Sequence, residues 1–190
     1  MGKKTAPVIA TILILTGIAG VAATLVLLPP ADPVAWPTRA TTDAMFIEEM
    51  IPHHEDAIVM AELAIDHAEH PEVEQLARNI IETQSAEIAQ MQQWYEEWFD
   101  ADVRDLGGSS RMMGRGMMGA PVDLEDLENA EQFDKAFIEA MVPHHQMGVM
   151  MSGMASSNTN RSEMRDLTES IIDGQRAEIA QMLEWYEEWY

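Results

Sequence analysis

A gapless internal repeat constrains this chain more than any other feature. Asp43 to Phe99 aligns on Asp134 to Tyr190 at a constant offset of 91 residues. FIEEMIPHH (Phe46 to His54) returns as FIEAMVPHH (Phe137 to His145), and QSAEIAQM (Gln84 to Met91) returns as QRAEIAQM (Gln175 to Met182). WYEEW closes both copies. Two copies of one supersecondary unit that cannot bury its apolar face alone are expected to share a core.

Each unit reads as two helices. Thr42 or Asp43 can cap the first, and helix-favouring residues continue to about His70. Pro71 then suits the first turn of a second helix ending near Phe99. In the second unit, Asn129 with Gln132 and Asn160 with Glu163 resemble capping boxes. Short connections make the helices of each unit antiparallel, so residues 42–190 are predicted to form an all-α four-helix bundle. Residues 101–122, between the hairpins, are rich in glycine and methionine and read as a loop, with Asp123 to Glu128 adding a helical turn. No stretch alternates as a strand would.

Along the first helix, Phe46, Met50, His53, Ala57, Met60 and Ala64 follow the a/d spacing of a packed seam, and Phe137, Met141, His144, Gly148, Met151 and Ala155 repeat it. The second helices carry Ile80, Gln84, Glu87 and Met91, then Ile171, Gln175, Glu178 and Met182, on theirs. Equal rise from a turn near His70 sets His53 opposite Glu87 and Met50 opposite Met91. The repeat sets His144 opposite Glu178 and Met141 opposite Met182. The expected core thus holds a layer of two histidines and two glutamates beside a layer of four methionines.

A carboxylate buried without compensation costs several kcal/mol. One compensation is a structural pair between Glu87 and a protonated His53, repeated in the second hairpin. The other is a metal site, with imidazole and carboxylate ligands converging from four helices. His54 and His145 lie about 100° round the helix from their neighbours, where they would line an adjoining interface or hold a second ion. Pro52 and Pro143 each lack an amide proton and should bend the helix beside the histidines.

The chain has no cysteine and 16 methionines, which removes disulfides, thiolate metal sites and thiol catalysis. Beyond the inner seam, Met147, Met150, Met151 and Met154 form a helical stripe that reads as core filler or as ligands. Met112, Met113, Met117 and Met118 cluster in the loop, where thioethers bury nothing. Soft sulfur favours Cu(I), and imidazole with thioether is a copper-type ligand set that also admits Cu(II) or another transition metal. Arg111 and Arg115 are ill suited to a cation site.

Val8 to Leu28 run without a charge behind Lys3 and Lys4, and Pro29-Pro30 ends the stretch. This length matches a bilayer core of about 30 Å. It exceeds the usual apolar region of a cleaved signal peptide, so an uncleaved transmembrane anchor is expected, with secretion after cleavage as the alternative. Residues 1–7 would then be cytoplasmic, 29–41 a linker, and the rest of the chain periplasmic or extracellular. With 33 acids against 11 bases and a net charge of −22, no nucleic-acid partner is expected. The aromatic WYEEW ends read as plugs for the core or as rings meeting the membrane interface.

The M-x-P-H-H motifs at Met50–His54 and Met141–His145, the Q-x-x-E-I-A-x-M segments and the MMG loop resemble the "domain of unknown function 305" family. The resemblance covers about residues 42 to 190. It implies a ferritin-like four-helix fold, an exported or membrane-tethered location, and copper binding through methionine and histidine. Carried over by motif, the implied ligands are Met50, His53, His54, Met141, His144 and His145. The expected function is non-enzymatic copper sequestration, resistance or transfer, and the expected partners are a copper-transfer protein or a second copy in a homo-oligomer. A structural bundle without metal is the alternative. A di-metal oxidase is disfavoured because Met50, Ile51, Met141 and Val142 stand where a Glu-x-x-His motif needs glutamate.

Overall fold

The computed structural model describes residues 39–103 and 122–190, within a compact unit from Pro37 to Tyr190. The apolar run 8–28 and the four methionines of the 101–122 segment lie outside the described residues. No described helix is long and apolar enough to cross a membrane. The described residues are helical, without a strand: α1 Arg39–His67, α2 Pro71–Phe99, the short α3 Leu124–Glu128, α4 Phe133–Asn158 and α5 Ser162–Trp189.

Local chemistry sets most of these ends. Pro71 occupies the first turn of α2 behind an extended His70, and Asp100 closes that helix in the left-handed region at φ 53°. Asp123 caps α3 by accepting from the amides of Glu125 and Asp126. Several expected caps are not used. Helix α1 begins at Arg39, inside the expected linker, so Thr42 and Asp43 already lie in its first turns. Asn129 closes α3 instead of opening α4, and Gln132 makes no capping bond. At the second tip Arg161 is the N-cap of α5 and makes no side-chain capping bond, and Thr159 Oγ1 accepts from its amide at 3.0 Å.

The helices pack as two hairpins, α1 on α2 and α4 on α5, joined along α1 and α4. Two core clusters result. One combines Met60 and Ala64 of α1, Val73 and Ile80 of α2, Phe137 and Met141 of α4, and Met182 of α5. The other combines Phe46 and Met50 of α1, Met91 of α2, Ala155 of α4, and Met164 and Ile171 of α5. The repeat offset exchanges them: Met50 becomes Met141, Met91 becomes Met182, and Ile80 becomes Ile171. The hairpins are therefore related by an approximate two-fold axis, with α1 antiparallel to α4 and the two turns at opposite ends.

Each hairpin tip is gripped by the open end of the other. The buried Asp134 carboxylate accepts from the amides of Glu69 at 3.0 Å and His70 at 2.8 Å, and meets His70 Nδ1 at 2.6 Å. Trp189 stacks on that imidazole at 3.8 Å, tilted by only 6°. In the symmetric place Asp43 faces Arg161 at 3.4 Å, and the guanidinium sits 4.2 Å above Trp98. The aromatic ends thus close the partner hairpin's turn. Helix α2 ends at the α4–α5 turn and α4 begins at the α1–α2 turn, so the segment between them connects opposite ends of the bundle.

Candidate metal centre

The histidines sit midway between the two core clusters, where α1 and α4 cross. His53 and His144, related by the repeat, lie against each other at a centroid distance of 3.8 Å with their rings tilted by 32°. His53 Nε2–H donates to the carbonyl oxygen of His144 at 3.1 Å. His54 and His145 point the other way, each into its own hairpin. Their Nε2 atoms meet Glu87 Oε2 and Glu178 Oε2, both at 2.8 Å.

This pairing differs from the expected one: the glutamates face His54 and His145, not His53 and His144. The a/d assumption gives a helix one buried face, but α1 and α4 are the inner helices and touch both their hairpin partner and each other. The face carrying Ile47, His54 and Ala61 is therefore buried as fully as the seam carrying Met50, His53 and Ala57. The methionine layer differs too. Met50 with Met91 and Met141 with Met182 are all fully buried, but they lie in separate clusters on opposite sides of the histidines. The antiparallel packing of the hairpins splits the layer.

Electrostatics follow from burial. Desolvation, with His54 and His145 nearby, pushes His53 down to about 3. Desolvation, with His53 against it, pushes His144 down to about 2. Both rings are neutral at pH 7. Because His53 spends its Nε2 proton on a carbonyl, its Nδ1 carries the lone pair. The Nδ1 atoms of His53, His54, His144 and His145 are all buried without a hydrogen-bond partner. A carboxylate on Nε2, as at His54 and His145, fixes the orientation of the ring, the arrangement found behind metal-bound histidines.

The donors present suit a soft or borderline ion of low coordination number better than a carboxylate-rich centre. Among the described residues no group of three or more histidine, aspartate or glutamate side chains converges to hold a metal. Buried imidazole Nδ1 atoms without partners remain, on a layer between the clusters that hold the two methionine pairs. Of the outer methionines, Met147 and Met151 are half-buried and Met151 packs against the second core cluster, while Met150 and Met154 are 52% and 56% exposed and lie outside the core. Gln84, Gln175 and Ser152, buried with unpartnered atoms in the same region, complete the polar layer. Gln84 and Gln175 were marked in the sequence as a repeated glutamine on an otherwise apolar seam, whereas Ser152 stands where the first copy has Ala61 and carried no such signal.

A two-fold bundle of duplicated hairpins around a buried histidine layer defines the class, and the model of the domain of unknown function DUF305 matches residues 43–186: the chain belongs to this family. Among solved structures it is similar to CopM in its Ag-bound form, at 48% identity and a TM-score of 0.68 over 78% of this chain and 97% of that one. CopM in the Cu(I)-bound form matches at 48% identity and a TM-score of 0.67, covering 78% and 97%. A DUF305 protein of Streptomyces coelicolor matches at 26% identity and a TM-score of 0.67, covering 77% and 93%. A comparison with curated proteins finds no match.

Proposed function

We propose that this protein binds copper outside the cytoplasm and holds it for sequestration or hand-over, without catalysing a reaction. The observation that carries this reading is the set of four buried imidazole Nδ1 atoms without partners, lying between two buried methionine pairs. Likeness to CopM, solved with Cu(I), Cu(II) and Ag, supports it. Sulfur from Met50, Met91, Met141 and Met182 suits Cu(I), and the imidazoles suit either oxidation state. Residues 8–28 would tether the domain to a membrane. One long crossover between two hairpins is the connectivity of ferritin-like bundles, but the carboxylates that a di-metal oxidase needs are committed to His54 and His145.

One observation favours the metal-free alternative: the His54–Glu87 and His145–Glu178 pairs are complete at 2.8 Å and can fix helix register by themselves. A Cu(I) competition titration of the full chain beside a His53→Ala/His144→Ala variant separates the two. Tight binding that falls in a variant of unchanged helicity supports the proposal. Undiminished binding moves copper to the exposed methionines, and no binding by either protein refutes it.

A further inference from the structure

The repeat lets the two halves of the histidine layer be compared position by position, and they are unequal. Where α1 has Ala57 and Ala61, α4 has Gly148 and Ser152. A Cβ at Gly148 would lie 2.3 Å from Gln175 Oε1, so the carboxamide fills the notch left by the absent side chain. Both Oε1 and Nε2 of Gln175 are buried without a partner, and so is Ser152 Oγ; at the two equivalent positions of the first half, Gln84 and Ala61, Gln84 Oε1 alone is in that state. Gly148 and Ser152 follow His144 by one and two helical turns, which sets notch, hydroxyl and imidazole along one face of α4.

The same half is the more open one. The Glu178 side chain is 21% exposed against 12% for Glu87, and His144 is half-buried where His53 is buried. A buried polar group left unpaired costs about 1–3 kcal/mol. The α4–α5 half carries three such atoms on Gln175 and Ser152 against one, Gln84 Oε1, at the equivalent places of the α1–α2 half, so it is shaped for a guest that takes oxygen donors.

Resting on the copper reading above, we infer that the α4–α5 half is a nitrogen–oxygen site that loads one Cu(II) ion ahead of the α1–α2 half, with the Gln175 carboxamide oxygen as a ligand beside the imidazoles. Imidazole with carboxamide oxygen is a harder donor set than the thioether pairs, and it selects the divalent ion. Gly148 is the specificity-determining position, because any side chain there displaces the carboxamide.

The test is a Cu(II) titration of the full chain followed by calorimetry and electron paramagnetic resonance, with Gly148→Ala, Gln175→Leu and Ala57→Gly. Alanine favours a helix interior over glycine, so Gly148→Ala keeps the fold. The wild type is expected to fill one site first with a single spectrum, and Gly148→Ala and Gln175→Leu to weaken that first equivalent at least tenfold and change its spectrum. Ala57→Gly should leave it intact. A first equivalent unaltered in both α4–α5 variants overturns the inference while leaving the copper reading standing. A wild type that binds neither Cu(II) nor Cu(I) overturns both.

Discussion

Acid should unfold the metal-free protein through the two imidazoles in contact, His53 and His144. His53 and His144 sit at about 3 and about 2 in the fold because burial disfavours their charged forms. In the unfolded chain both return to about 6.5. Between those values the unfolded state binds protons that the folded state refuses, so stability rises with pH across this window and is lost as pH falls below 6.5. Each group costs about 1.4 kcal/mol per pH unit, hence about 2 kcal/mol at pH 5. His53 alone gives that figure and the pair gives about 4 kcal/mol, with the half-buried His144 setting where in the range the protein falls. Urea unfolding at pH 7.5 and 5.0 reads this as a midpoint shift on the order of 1–2 M. A His53→Leu/His144→Leu variant cannot titrate there and should lose little over the same interval. Equal losses in the two proteins would refute the argument, because the proton uptake would then come from other groups.

Three further outcomes are expected. Asp134→Ala removes the buried acceptor of two amides and one imidazole at the first hairpin tip and should cost about 2–4 kcal/mol by thermal or urea unfolding, whereas Asp43→Ala, whose carboxylate faces Arg161 at 3.4 Å, should cost less. A Met50→Leu/Met141→Leu variant keeps core volume and should lose under about 1.5 kcal/mol per site, yet its Cu(I) affinity in a competition titration should drop at least tenfold. Tyr95, pushed up to about 12 by burial and by donating to Glu48 Oε1 at 2.5 Å, contributes stability that is complete below pH 10 and lost above it. Tyr95→Phe should therefore flatten the alkaline limb of a stability–pH curve.

The hairpins, their turns and most core positions were legible because the repeat and the helical period report directly on local structure. Pro71 announces the start of α2, and the seam residues Met50, Met141, Ile80 and Ile171 are all buried as their spacing required. What could not be read was the relation between the hairpins. The same pattern serves turns at one end or at opposite ends, and only tertiary contacts such as Asp134 with His70 decide. That choice moved the methionine pairs apart and turned His53 toward His144 instead of Glu87. Adjacent histidines on one helix signalled two directions but not which direction met the glutamate. Gly148 read as one more seam position, and nothing in its spacing told that Gln175 fills its notch.

A hairpin whose open end grips the tip of its own duplicate is, in symmetry terms, one protomer of an isologous dimer whose two chains have been made continuous. Joining them frees assembly from concentration, since each partner is permanently at the other's side. It also frees the interface from identity. In a dimer of separate hairpins every change beside the axis comes twice. In the joined chain it comes once, so His70 and Arg161 can stack on equivalent tryptophans with different chemistry, and a glycine can replace an alanine on one side alone.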